Sequence, residues 1–361
     1  MSTSEERPEL LPSGAGLTSA VAVETHGTLG ESLEDEAAKV RARGYWELVW
    51  IRFRRDKFAL ASFAFVVGLF LVAFVGAPVA KALLGHGPDD IFAGGVDANT
   101  LQPVDPWTHV SEAPYPGAPG NFGTTLFVLG GDSQLGRDLF LRLLYGARTS
   151  LEVALFATLM IVAIGVVMGV VAAYYRGWVD TIISRLMEMV MVFPQLLFII
   201  ALRVTAGDSL NGITLGFLAP GVFTLVLILG ALGWFYPARI VRSLVLSLRE
   251  KEFVEAARMT GASDWRIMRS HLLPHLVAPI IVYSTLIVAQ NIIIEAGLSF
   301  LGLGIVPPTS SWGNILATAP TYYLNKPLLM LWPGLCILMT TLAFNLLGDG
   351  LRDAFDPRSS R

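Results

Sequence analysis

Charge and cysteine are both scarce in this chain. Only 15% of its 361 residues are Asp, Glu, Lys or Arg, against roughly 25% in soluble domains. A single cysteine, Cys336, excludes an intrachain disulfide framework and any multi-cysteine metal or iron–sulfur site. Of the five histidines, His271 and His275 are four apart. Pro274 interrupts their helix and no third ligand is near, so no zinc site is expected. Gly131 and Gly136 have the outer spacing of a phosphate-binding loop, but Arg137 and Asp138 follow where Lys and Ser or Thr are needed. Gly302-Leu303-Gly304 runs into Pro307 and opens no helix after a strand, so it is no dinucleotide fingerprint. No nucleophile stands beside a base. Neither ATP hydrolysis nor any other catalysis is expected of this chain. The net charge of −3 carries no information on nucleic acid, and no nucleic-acid partner is expected.

Apolar sequence fills the gap. Hydrophobic residues make up 53% of the chain, and mean hydropathy is +0.59. At about 20 apolar residues per membrane-spanning helix, six runs qualify: 58–80, 153–173, 182–204, 218–236, 276–294 and 328–347. The third carries Arg185, Glu188 and Arg203. The reading is an all-α polytopic membrane protein of six helices. Residues 1–57 form an N-terminal tail, polar, acidic and mostly disordered up to about 44, without the basic region of a signal peptide. Its last part, YWELVWIRFRRDK, alternates aromatics with Arg52, Arg54, Arg55 and Lys57, the pattern of a segment that meets lipid head groups. The first span is 58–80, and a loop follows over 81–149. The remaining spans fall within 150–351, leaving a tail at 352–361.

Basic flanks set the orientation. With the N-terminus inside, the cytoplasmic side receives Arg52, Arg54, Arg55, Lys57, Arg176, Arg239, Arg242, Arg249, Lys251, Arg258, Arg266, Arg269, Arg352 and Arg358. The other side receives Lys81, Arg137, Arg142, Arg148 and Lys326. Both termini are therefore expected in the cytoplasm. The outward loop ends in Leu139, Phe140, Leu143, Leu144 and Ala147 at helical spacing, with Arg142 and Arg148 off the stripe. That pattern predicts a short helix on the outer membrane surface before the second span.

The most informative stretch is EFVEAARMTGASDWRIMRSHLLPH, in a basic cytoplasmic loop over 239–275. Good helix formers precede Gly261, which supplies a left-handed stop. Ser263 or Asp264 then caps a second helix carrying Trp265, Met268 and Leu272 on one stripe, with Pro274 at its end. Two short helices at a sharp angle are expected. Physics alone leaves docking into a partner's groove and rest on lipid head groups evenly matched.

Glu255-Ala256-Ala257, Gly261 and Leu273-Pro274 resemble the EAA signature of ABC importer permeases. Four more stretches carry the likeness: LGGDSQLGRDLFLRLLYGARTSL, YYRGWVDTIISRLMEMVMVFPQLL, EAGLSFLGLGIVPPTSSWGNIL and AFNLLGDGLRDAFDP. The chain looks most like the second permease subunit of peptide importers, the DppC/OppC type, which also includes nickel permeases. His271, where the generic signature has Ile, resembles the peptide branch; Glu188 stands where Asp is common, and Arg176 where an extra Gly is usual.

The resemblance implies a five-helix MetI-like core over 150–351. It implies that Glu255, Ala256, Ala257, Gly261, Asp264, Trp265, Arg266, Met268, Leu273 and Pro274 form a coupling loop for cytoplasmic ATPase subunits. The implied partners are a homologous second permease, two ATPase subunits and an extracytoplasmic solute-binding protein, in the lipid of the cell membrane. ATP and magnesium would be bound by the ATPase subunits, with no cofactor in this chain. Oligopeptides or dipeptides are the implied cargo, with nickel second.

Polar groups within spans tend to face a bundle interior or a water-filled cavity. Glu188, three residues from Arg185, either lines a path or neutralises its neighbour. Gln290, Asn291 and Glu295 either line the pathway or make interhelical hydrogen bonds. Pro194, Pro220, Pro237, Pro279 and Pro333 lie in or beside spans, where each can kink its helix. A rival from another class is an ion-coupled transporter or channel that titrates Glu188 or Glu295 without any ATPase.

Overall fold

The computed structural model describes residues 45–113, 118, 122–211 and 221–356. The tail expected to be disordered, 1–44, lies outside them, as do 212–220 with Pro220 and the final 357–361. The chain divides into two compact units, Met1–Ile51 and Arg52–Arg361. Helix α1, Tyr45–Arg55, begins in the first and ends in the second. Glu47 sits in its first turn and Arg52, Arg54 and Arg55 in its last, the order that suits the helix dipole.

Within the second unit, Asp56 caps α2, Lys57–Leu84, its carboxylate accepting from the backbone N–H of Phe58 (2.8 Å) and Ala59 (3.2 Å). The chain then forms a folded lobe before α3. It contains two short antiparallel strands, β1 Thr108–Ser111 and β2 Thr124–Phe127, with Thr108 opposite Phe127. Apart from this small hairpin the described chain is mainly helical, in keeping with the all-α reading. Phe92, Val110 and Phe127 make the lobe's apolar centre, and His86 is buried beside them. The His86 ring lies 5.1 Å from Phe92 and 5.9 Å from Phe127. Its Nε2 is 3.0 Å from Asp138 Oδ2, while Nδ1 is 3.1 Å from the Leu84 carbonyl and 3.0 Å from the Thr125 hydroxyl. Burial opposes charge on this ring. The bonds to Asp138 and Leu84 and the negative charge of Asp138 and Asp90 outweigh it, and together raise its pKa.

Helix α3, Leu139–Tyr175, is continuous over 37 residues, about 55 Å at 1.5 Å per residue. Asp138 caps it through Phe140 and Leu141. The separate surface helix expected here is therefore the first part of α3. Arg142 explains the difference, because it is not exposed to water as an off-stripe cation would be. It is 2% exposed, with Asp132 at 2.7 Å, Asp89 at 2.9 Å and the Pro308 carbonyl at 3.2 Å. The lobe covers it and supplies its counter-charges.

The expected third span is broken. Helices α4, Gly177–Val192, and α5, Gln195–Asn211, meet at 87°. Phe193 precedes Pro194 and is extended (ψ 133°), the backbone that a following proline imposes. Helices α6, Val222–Gly233, and α7, Phe235–Leu248, bend by 40°. Pro237 lies in the first turn of α7, where a missing N–H costs no intrahelical bond. Helix α7 runs on past the expected end at residue 236.

Then come α8, Glu252–Met259, and α9, Asp264–Phe300. The short α10, Trp312–Thr318, is started by a Ser311–Asn314 capping box, and α11, Leu328–Phe355, closes the described chain. Among the described residues α2, α3, α9 and α11 are long and apolar enough to cross a membrane. Counting each bent pair as one span brings the total to six.

Helix α3 is the central post, against which α6, α7 and α9 pack. Lipid is as apolar as leucine, so close approach of small residues carries much of this association. Gly165 and Gly169 face α7 directly. A Cβ at Gly169 would lie 2.6 Å from the Ala238 carbonyl, and one at Gly165 2.6 Å from Pro237 Cγ.

Candidate functional site: the elbow between α7 and α9

The elbow is built by local rules. Helix α8 has Glu252 and Glu255 in its first turn and Arg258 in its last. Gly261, at φ +80°, then ends it in a Schellman arrangement. Ala262 N–H donates to the Ala257 carbonyl (3.0 Å) and Gly261 N–H to that of Arg258 (2.9 Å). Of the two candidate caps, Ser263 is the one used, its hydroxyl accepting from Arg266 N–H (3.4 Å). Asp264 is left free to bond elsewhere.

The second helix does not stop at Pro274, as its sequence suggested. It continues as α9, because residues Ile267–Leu272 form a π-helical turn in which Leu273 N–H reaches the Met268 carbonyl. A proline in a regular helix loses one bond and clashes with the carbonyl four residues back; the wider turn gives the ring room beside that carbonyl. The second half of the elbow, from Asp264, and the long helix after it are thus one rod.

Its two faces differ. Val254, Ala257, Ile267, Met268 and Leu272 are buried with Val170, Tyr174, Val241 and Val245. Met268, placed on one stripe with Trp265 and among the coupling-loop residues, is a core residue, and Ala257 is buried with it. Outward stand Glu255, Ala256, Gly261, Asp264, Arg266, Leu273 and Pro274. With them are Trp265 (68% exposed) and Met259 (89% exposed). Met259 was missed by the sequence reading. The available signal was its spacing, three and six residues after Ala256 and Phe253 on the face opposite Val254 and Ala257.

The elbow is anchored at the last turn of α3. The Tyr174 hydroxyl donates to Asp264 Oδ1 at 2.7 Å. Arg249 Nη1 donates to the carbonyls of Tyr174 (2.5 Å) and Ala173 (3.1 Å). Burial, and then the nearby Arg176 and Arg258, lower the Arg249 pKa. Arg258 lies over the Tyr174 ring at 5.6 Å. Arg242 holds Asp180 of α4 through two bonds of 2.6 and 2.7 Å, and Arg176 pairs with Glu250. Tyr174 and Arg249 were not singled out from the sequence, where Arg249 counted only as a flanking cation.

The polar residues of the helical core separate into two groups. Glu295 is fully buried. It accepts from Ser150 Oγ of α3 (2.8 Å) and from Ser299 Oγ on its own helix (2.6 Å). Asn291 is 3% exposed and donates to Thr158 Oγ1 of α3 at 3.0 Å. These two make interhelical bonds and are enclosed by their own chain, which corrects their place among pathway-lining candidates. Gln290 and Glu188 are exposed, and Glu188 takes a bond from Arg185 at 2.7 Å. Among the described residues no three His, Cys, Asp or Glu come together as a metal site.

The family described as binding-protein-dependent transport system inner membrane component matches residues 161–361. The N-terminal TM domain of oligopeptide transport permease C matches residues 44–103. The chain is 35% identical over 313 residues to the glutathione transport system permease protein GsiD of Pectobacterium atrosepticum, covering 87% of this chain and 91% of that one. GsiD of Escherichia coli is 36% identical over 318 residues, 88% of this chain and 92% of its own. The dipeptide transport system permease protein DppC of Alkalihalophilus pseudofirmus is 39% identical over 230 residues, 63% and 71% respectively. A solved structure of the MetNI methionine ABC transporter in inward-facing conformations aligns at a TM-score of 0.46 and 19% identity, over 60% of this chain and 97% of that one.

Proposed function

The chain belongs to the family of binding-protein-dependent transport system inner membrane components, and from that premise we propose that it is one half of the solute pathway of an ATP-driven importer. A homologous second permease supplies the other half. Two ATPase subunits, which bind ATP and magnesium, dock on the elbows, and an extracytoplasmic binding protein delivers the solute. The elbow faces the cytoplasm, as do both termini. The basic residues that flank α4, α7 and α8 support this orientation.

The observation that carries the reading is the two-faced elbow. One face is packed into the helical bundle, and the other presents Trp265 and Met259 beside Arg258 and Arg266. Large apolar anchors inside a charged rim suit a protein partner better than open water. Because the elbow is continuous with α9, closure of the ATPase dimer moves a membrane helix directly. The cargo is a dipeptide or oligopeptide, in keeping with what the relatives' names say of them; nickel is the alternative.

The test is purification of the complex from its host, followed by reconstitution into liposomes. A second permease and two ATPase subunits should co-elute, and dipeptides or oligopeptides should raise ATP turnover where nickel does not. Glu255→Lys, on the exposed face of α8, should weaken ATPase association while leaving the protein in the membrane. Uptake that persists without ATP and collapses with an ion gradient would overturn the proposal.

A further inference from the structure

The elbow is fastened to more than the two helices that flank it in the chain. Its far partner is the corner where α3 ends and α4 begins. Tyr174, 6% exposed, reaches Asp264 at the start of α9 through a bond of 2.7 Å. Arg249 satisfies two of the carbonyls left without an intrahelical partner at the end of α3, where a cation also complements the helix dipole. Arg242 grips Asp180 of α4 in a two-point fork, the strong geometry for such a pair. Arg176, in the α3–α4 junction at φ +55°, is tied to Glu250 just before α8.

These bonds surround the apolar cluster of Val170, Val245, Val254, Ile267 and Leu272. Arg242, Arg249 and Glu250 fasten α7 and the link that follows it, whereas the start of α9 is held to α3 by the Tyr174–Asp264 bond and this apolar packing. Farther along, α4 meets α5 at the 87° break before Pro194, a junction without continuous helix to resist bending.

Resting on the import reading above, we infer that Tyr174 and Arg249 are positioning residues of the coupling path, delivering the push on the elbow to the α3–α4 corner as well as to α7 and α9. The elbow, the end of α3 and the start of α4 move as one body. Without the Tyr174–Asp264 bond the ATPase subunits still dock and turn over, but their stroke is lost before it reaches the central post.

The experiment uses the reconstituted complex, with the system's own binding protein, purified from the host with its solute bound, as the stimulus. Tyr174→Phe removes one hydroxyl and keeps the ring. It should leave subunit association and basal hydrolysis unchanged, while the ratio of stimulated to basal hydrolysis falls about fivefold or more. Asp264→Asn, which can still accept from the phenol, should retain most of the wild-type ratio, whereas Asp264→Ala should lose it. The Tyr174→Phe/Asp264→Ala double variant should be no worse than either single one, as expected for a pair acting through one bond.

Spin labels at the exposed Tyr175 and Ser270 positions should keep one distance with and without trapped ATP. A wild-type ratio in Tyr174→Phe, additive losses in the double variant, or a label distance that changes on trapping ATP would each overturn the inference. No ATP-driven uptake by the wild-type complex would instead overturn the import reading itself.

Discussion

Trp265 and Met268 are three residues apart on α9 and should fail in opposite ways when truncated. Trp265 is 68% exposed and Met268 only 8%. A tryptophan buries about 150–250 Å² when fully covered, so a docking partner has about 100–170 Å² of Trp265 left to cover, worth about 2.5–4 kcal/mol at ~25 cal/mol/Å². Ordering the two surfaces reduces this to about 2 kcal/mol, or about thirtyfold in Kd. Trp265→Ala should therefore weaken ATPase association about thirtyfold and leave thermal stability unchanged. Met268 is enclosed by its own chain, where it fills the cluster with Val170, Val245 and Leu272. Met268→Ala opens a cavity costing about 2–5 kcal/mol of stability, with little effect on the affinity of the molecules that remain folded. The assay is titration of the detergent-solubilised permease pair with purified ATPase subunits, beside thermal unfolding of the same samples. Wild-type affinity in Trp265→Ala, or lost affinity without lost stability in Met268→Ala, would refute the assignment of faces.

Two further predictions concern other parts of the fold. The His86 pKa is raised in the folded chain, so the stability it contributes is complete below its unfolded value of about 6.5 and is lost as pH rises through the folded value. Protection against hydrogen exchange in the lobe, corrected for the intrinsic rise of exchange with pH, should fall over that rise in the wild type but not in His86→Gln, and an equal change of protection in both would refute the clamp. Gly169→Leu puts a side chain where a Cβ alone lies 2.6 Å from the Ala238 carbonyl, so α3 and α7 must separate. Unfolding in detergent should then come several degrees lower, and an unchanged transition would refute the close approach.

Much of this architecture was legible because its causes are local. Uninterrupted apolar runs mark α2 and α11. The left-handed stop at Gly261 and the cap at Ser263 depend on backbone preferences within a few residues. Pro194 marked a kink, although nothing in its neighbours specified an angle of 87°. Other readings needed partners distant in sequence. Arg142 looked like an exposed outer cation, but Asp132, Asp89 and the Pro308 carbonyl close over it. Pro274 looked like a helix end, but the π turn beside it carries the helix through. Met268 and Trp265 shared a stripe on paper. The widened turn begins between them and turns Met268 into the bundle.

What the sequence determined on its own was the kind of solvent this chain needs and the place of its elbow. Both follow from composition and from φ preferences that each residue carries with it. Tertiary structure alone decided which polar groups are enclosed and which remain open to a partner. Glu295 meets Ser150 across 145 positions and Tyr174 meets Asp264 across 90. Whether a carboxylate at such a position faces a path or a neighbouring hydroxyl depends on how two helices are rotated against each other. That rotation is set by the packing of small residues over the whole length of α3, and no short stretch of sequence contains it.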